Sequence, residues 1–144
     1  MAMRNKRRMV GRVTIALIAL IATACSSGAS STGSGSVLAR PTSTGTLTIV
    51  SPTDGQVVHG TSVRVQTKLT GARVVPASTT NIAPDTGHLH LTLDGEIVAM
   101  NFSLSDELTG LTPGIHTLQI EFVASDHLPF DPRVIQQVTF EVKP

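Results

Sequence analysis

Two histidines two residues apart, His88 and His90, are the groups in this chain best placed to do chemistry. In Gly87-His88-Leu89-His90-Leu91 they alternate with leucines, the pattern of a β-strand whose successive side chains point to opposite faces. Both imidazoles then project to one side, where they can share a metal ion, and neutral imidazole suits zinc and copper equally. A third histidine, His127, falls in the stretch 125–132 together with Asp126 and Asp131. The alternative is structural: His88 and His90 hydrogen-bond a neighbouring loop and fix it.

The remaining titratable groups suggest no reaction. His116 shares parity with Leu118, Ile120 and Phe122, so it points inward at the start of its strand. There it is expected to act as a structural corner, taking the place of the tyrosine whose hydroxyl ties such a corner to nearby backbone in sandwich domains. His59, in the turn-like Val58-His59-Gly60, is expected to be exposed. Asp94 and Glu96 flank a turn, where acidic residues are common for reasons of turn geometry and solubility. No nucleophile elbow and no glycine loop opening a helix is present, so no enzyme activity is expected.

The elements that must position these groups are strands. Leu47 and Ile49 alternate with threonines, and Val63, Val65, Thr67 and Leu69 alternate with Arg64, Gln66 and Lys68. A short segment at 72–75 leads into a long polar connection, 76–86. Strands at 88–93 and 96–100 flank Asp94-Gly95, a strong hairpin signal. After a loop at 103–114, strands at 115–124 and 134–142 bury Leu118, Ile120, Phe122, Val134, Val138, Phe140 and Val142, with Gln136 breaking the inward pattern once. About seven strands without helical period describe an all-β, immunoglobulin-like antiparallel β-sandwich, with another small β-sandwich or barrel as the alternative. In that arrangement the loop 125–132 lies at the end where the His88 strand begins. The geometry then allows a cluster of His88, His90 and His127 with Asp126 or Asp131 nearby, and leaves His116 at the far end of its strand.

Three phrases carry a resemblance: Gly87-His88-Leu89-His90-Leu91, Pro113-Gly114-Ile115-His116-Thr117-Leu118 and Asp126-His127-Leu128-Pro129. Over residues 86–144 the chain resembles a family of uncharacterised bacterial secreted domains marked by Gly-His-x-His-Leu, Pro-Gly-x-His-Thr-Leu and Asp-His-x-Pro in this order. Members often carry a further histidine where this chain has Leu89. The resemblance implies export and a β-sandwich and assigns no activity.

The N-terminus agrees with export. Arg4, Lys6, Arg7, Arg8 and Arg12 precede an uncharged, mostly apolar run at 13–24. As a helix that run is roughly 18 Å long, short of a ~30 Å hydrocarbon core. It ends Ile21-Ala22-Thr23-Ala24-Cys25, which resembles a lipobox, with Ala22 where leucine is usual. Cys25 is the sole cysteine, so it has no internal disulfide partner, and lipidation would consume an otherwise free exported thiol. An ordinary signal peptide cut after Ala22-Thr23-Ala24 is the alternative. Ser, Gly, Ala and Thr dominate 26–36 and read as a flexible tether. The expected organisation is a lipoprotein signal peptide at 1–24, a lipid-anchored tether at 25–45, and the sandwich at 46–144.

Cleavage removes five of the eleven basic residues and leaves six against ten acidic ones, a net charge near −4, which excludes a nucleic-acid footprint. Trp and Tyr are absent, so no aromatic platform for stacking sugars exists. The leading expectation is an extracytoplasmic lipoprotein, held to the cell membrane through Cys25, that presents a non-catalytic module to a protein or envelope partner. It carries no obligatory cofactor. The alternative is an envelope protein binding copper or zinc through His88, His90 and His127, with Asp126 nearby.

Overall fold

Alternating apolar and polar residues place one face of each long strand against a common core. The computed structural model describes residues 39–76 and 78–144. The expected signal peptide, Cys25 and the tether up to residue 38 lie outside the described residues. Nine strands follow in order: β1 (Thr46–Ser51), β2 (Gln56–His59), β3 (Ser62–Thr70), β4 (Arg73–Val74), β5 (Thr86–Leu93), β6 (Glu96–Asn101), β7 (Ser105–Thr109), β8 (Gly114–Ala124) and β9 (Pro129–Lys143). They form a three-stranded sheet, β1-β3-β7, and a six-stranded sheet, β2-β9-β8-β5-β4, with β6 also paired to β5. No helix among the described residues is long and apolar enough to cross a membrane. The architecture is the expected all-β, immunoglobulin-like sandwich.

Strand number and sense differ from expectation at the edges. β7 was expected as loop because Leu108 is its single buried apolar residue, too little to show alternation. β2 was expected as turn; it pairs in parallel with the end of β9, and the two-residue β4 pairs in parallel with β5. The other pairings are antiparallel. Leu47, Val63, Val65 and Leu108 of the small sheet meet Leu89, Leu91, Leu118, Ile120, Phe122 and Phe140 of the large one. Each such side chain contributes roughly 1.5–3 kcal/mol through removal from water. Phe130 stacks on Phe122 with ring centroids 5.4 Å apart. Gln136, opposite Ile120 and at core parity, is exposed, because an open groove bounded by Gly45, Leu47 and Arg133 leaves it in water.

Residues 40–45, expected as the end of the tether, are bonded to the sandwich. The Asp131 amide donates to the Pro41 carbonyl at 3.1 Å, and the Thr44 amide donates to the Pro84 carbonyl at 3.0 Å. The Thr42 and Thr44 hydroxyls donate to the carbonyls of Asp131 and Gly71, at 2.8 and 2.6 Å. A polar composition gave no sign of these partners, which are remote in sequence.

Candidate metal centre

Strand β5 lies between β8 and the β4–β6 edge, with Leu89 and Leu91 turned to the core at 1 % exposure each. His88 and His90 therefore sit on the outer face, opposite Val123 and Glu121 of β8. Gly87 lets the start of β5 come this close to β8. A Cβ built on it would lie 1.9 Å from the Val123 carbonyl oxygen, so no larger residue fits without moving backbone.

The turn between β8 and β9 brings in the third histidine. The Ala124 amide donates to the Leu128 carbonyl and the His127 amide to the Ala124 carbonyl, both at 3.0 Å. This closes a three-residue hairpin loop whose last member takes the left-handed conformation. That member is His127, at φ 65°. Glycine adopts this conformation freely, whereas a side chain there costs about 1–2 kcal/mol. The strained position turns the imidazole toward β5. Arg40 braces the turn from outside: Nη1 and Nη2 donate to the Asp126 carboxylate at 2.6 and 2.9 Å, and Nη2 and Nε donate to the carbonyls of Leu128 and Pro129. The connection between β4 and β5 covers the remaining side. The Thr79 amide donates to the Ser125 carbonyl at 3.0 Å, and Ser78 Oγ contacts His127 Nε2.

The three rings converge. His88 Nε2 lies 3.1 Å from His90 Nε2 and 2.9 Å from His127 Nδ1. All three candidate donor atoms fall within 4.8 Å of one another. An imidazole nitrogen carries either one hydrogen or one in-plane lone pair, so His88 Nε2 can satisfy only one of its two neighbours by a hydrogen bond. A cation between them would engage all three. Ligands at the ~2.0–2.1 Å usual for zinc–nitrogen bonds sit roughly 3.3 Å apart around a tetrahedral ion, close to the two spacings seen.

Burial tunes the same atoms. His88 is fully buried, and desolvation, reinforced by His127 and His90, lowers its pKa from 6.5 to about 4. Desolvation also lowers the pKa of His90. Both rings are therefore neutral near pH 7, the form a metal requires. Phe102 packs on His88 with ring centroids 5.4 Å apart. His88 Nδ1 is buried without a hydrogen-bond partner, an unmet group worth about 1–3 kcal/mol of stability.

Not every expected residue joins the centre. Asp126 is taken by Arg40, whose hydrogen bonds hold its carboxyl below the usual range. Asp131 is exposed, and its backbone serves the segment at Pro41 and Thr42. His116 is buried on the core side; it faces Phe140 in β9, seven residues before Val123, which faces His88, so roughly 23 Å of strand separates the two histidines. Its Nε2 donates to the Thr112 carbonyl at 2.8 Å and its Nδ1 to Asp94 Oδ2 at 2.7 Å. Two oxygen acceptors favour the doubly protonated ring, and its pKa is raised. Asp94, at the left-handed start of the Asp94-Gly95 turn, also accepts the Thr117 amide. His59 is exposed, 3.4 Å from the Pro144 carbonyl. Sequence reasoning missed Ser78, Phe102 and Arg40, which lack a periodic relation to the histidines.

An all-β sandwich carrying a half-buried three-imidazole cluster at one end is thus the class of domain that fold and site define. Residues 65–143 match the family described as domain of unknown function DUF4399, and the chain belongs to that family. No curated protein matches it. Among solved structures it is similar to the fibronectin(III)-like modules of Clostridium thermocellum CbhA, at 14% identity over 67% of this chain and 94% of that one, with a TM-score of 0.46. It is also similar to the PKD domain of human KIAA0319, at 17% identity over 77% of this chain and 91% of that one, with a TM-score of 0.45.

Proposed function

We propose that this domain binds a single copper or zinc ion through His88, His90 and His127, and does so without catalysis. The observation that carries this reading is the meeting of three ring nitrogens at His88 Nε2, where hydrogen bonding can serve only one of two contacts. Calorimetric titration of the purified protein with Cu(II) and Zn(II) tests it. One ion per chain with micromolar or tighter affinity is expected, and His90→Ala should weaken binding beyond the roughly 10–100-fold typical of an outer-sphere partner. Millimolar binding, or binding indifferent to His90→Ala, overturns it.

The ion is held outside the cytoplasm in this reading. The basic head, the short apolar run and the lipobox-like stretch support a diacylglyceryl anchor on Cys25. Mass spectrometry of the membrane fraction should find that group, and a soluble mature chain with a free thiol refutes the anchor.

A second reading, a non-catalytic module docking a protein or envelope partner, is favoured by the edge strand β6, where Ile97, Val98 and Met100 are about half exposed. Unpaired strand edges are templates for pairing. Photo-cross-linking from position 98 in intact envelopes should give adducts that the same probe at position 137 does not; identical patterns count against docking.

A further inference from the structure

The donors around the histidines discriminate between the two metals. His90 has a neighbour on each side in the sheet: Glu121 of β8 and Met100 of β6. Directly opposed residues point to the same face, with Cβ atoms about 4.5–5.5 Å apart. Glu121 is engaged by Arg133, whose Nε and Nη2 donate to its two oxygens at 2.7 and 2.5 Å. Asp126 is engaged by Arg40 in the same manner. Each carboxylate beside the cluster is thus neutralised by its own arginine and would lose two charge-assisted bonds by turning to an ion. Met100 has no such commitment. It is half exposed, its flexible thioether can swing over the rings, and Phe102, two residues on, covers His88.

We infer that Met100 supplies a fourth, soft ligand and that the site is therefore selective for Cu(I) over Zn(II). Resting on the three-histidine reading above, this inference adds the identity of the ion. Thioether sulfur favours Cu(I), whereas a carboxylate in the same place would have favoured harder ions. An uncharged donor set of three imidazoles and a thioether also suits a singly charged ion in a partly desolvated place.

The test uses the full chain carrying Cys25→Ser, so that no thiol competes for copper. Cu(I) is titrated in competition with a chromophoric Cu(I) chelator, and Zn(II) separately, for this chain and for its Met100→Leu variant. Met100→Leu should weaken Cu(I) about tenfold or more while leaving Zn(II) unchanged. Copper-edge X-ray absorption of the loaded chain should show a sulfur scatterer that the variant lacks. Tight binding of both ions, unaffected by Met100→Leu and without sulfur scattering, overturns the Met100 assignment and leaves the histidine site standing. Binding of neither ion below millimolar overturns both.

Discussion

Arg40 holds Asp126 by two hydrogen bonds, 2.6 and 2.9 Å long, across 86 residues of sequence. Asp126 is adjacent to His127, so the segment leading into the sandwich braces the turn that completes the histidine cluster. Arg40→Gln should lower unfolding stability by about 1–2 kcal/mol and metal affinity by roughly tenfold. Urea denaturation and calorimetry measure the two. Unchanged affinity would mean that the turn holds His127 unaided.

His127 exchanges stability for position. Replacing it by glycine relieves the left-handed backbone, so His127→Gly should gain up to about 1 kcal/mol. The same change should weaken metal binding by more than about 100-fold. A thermal melt of the metal-free protein and a metal titration, run side by side, should move in opposite directions.

Two histidines should respond to pH with opposite sign. The folded pKa of His116 is raised, first by its bond to the Thr112 carbonyl and then by Asp94. Its contribution is complete below the unfolded value of 6.5 and is lost as pH rises through the raised folded value. His88 titrates at about 4 in the fold. Between 6.5 and that value the unfolded chain takes up a proton that the fold refuses, so stability falls as pH drops through this window. In chelated protein, His116→Phe should flatten the alkaline limb of stability against pH, and His88→Leu the acid limb. Urea unfolding across pH 4–9 checks both.

Gly87→Ala should cost about 3 kcal/mol or more, because its methyl group meets the Val123 carbonyl rather than a yielding side chain. The displaced end of β5 carries His88, so metal affinity should fall with it. A variant that melts near the parent temperature and still binds would show that the backbone absorbs the clash.

How much of this was legible in the sequence varies with the range of the signal. Period-two alternation identified β3, β5, β8 and most of β9, and with them the shared outer face of His88 and His90. Asp94-Gly95 identified the β5–β6 hairpin through its own conformational demands. The meeting of His127 with β5 followed from sandwich topology. The partners of the carboxylates did not. Arg40 with Asp126, and Arg133 with Glu121, are single contacts that leave no repeat to read, so Asp126 looked free to bind metal. β7 and β2 were hidden for a related reason, since edge strands bury one face of few residues.

The bonds at residues 40–44 also set how the sandwich meets mechanical load. In a chain retained by its N-terminus, a pull arrives at Arg40 and passes straight into Asp126 and the carbonyls of Leu128 and Pro129. Tension is then felt at the His127 turn before it reaches the paired strands of the core. The histidines accordingly lie at the pole of the sandwich where the described chain enters it, the end that such a pull reaches first.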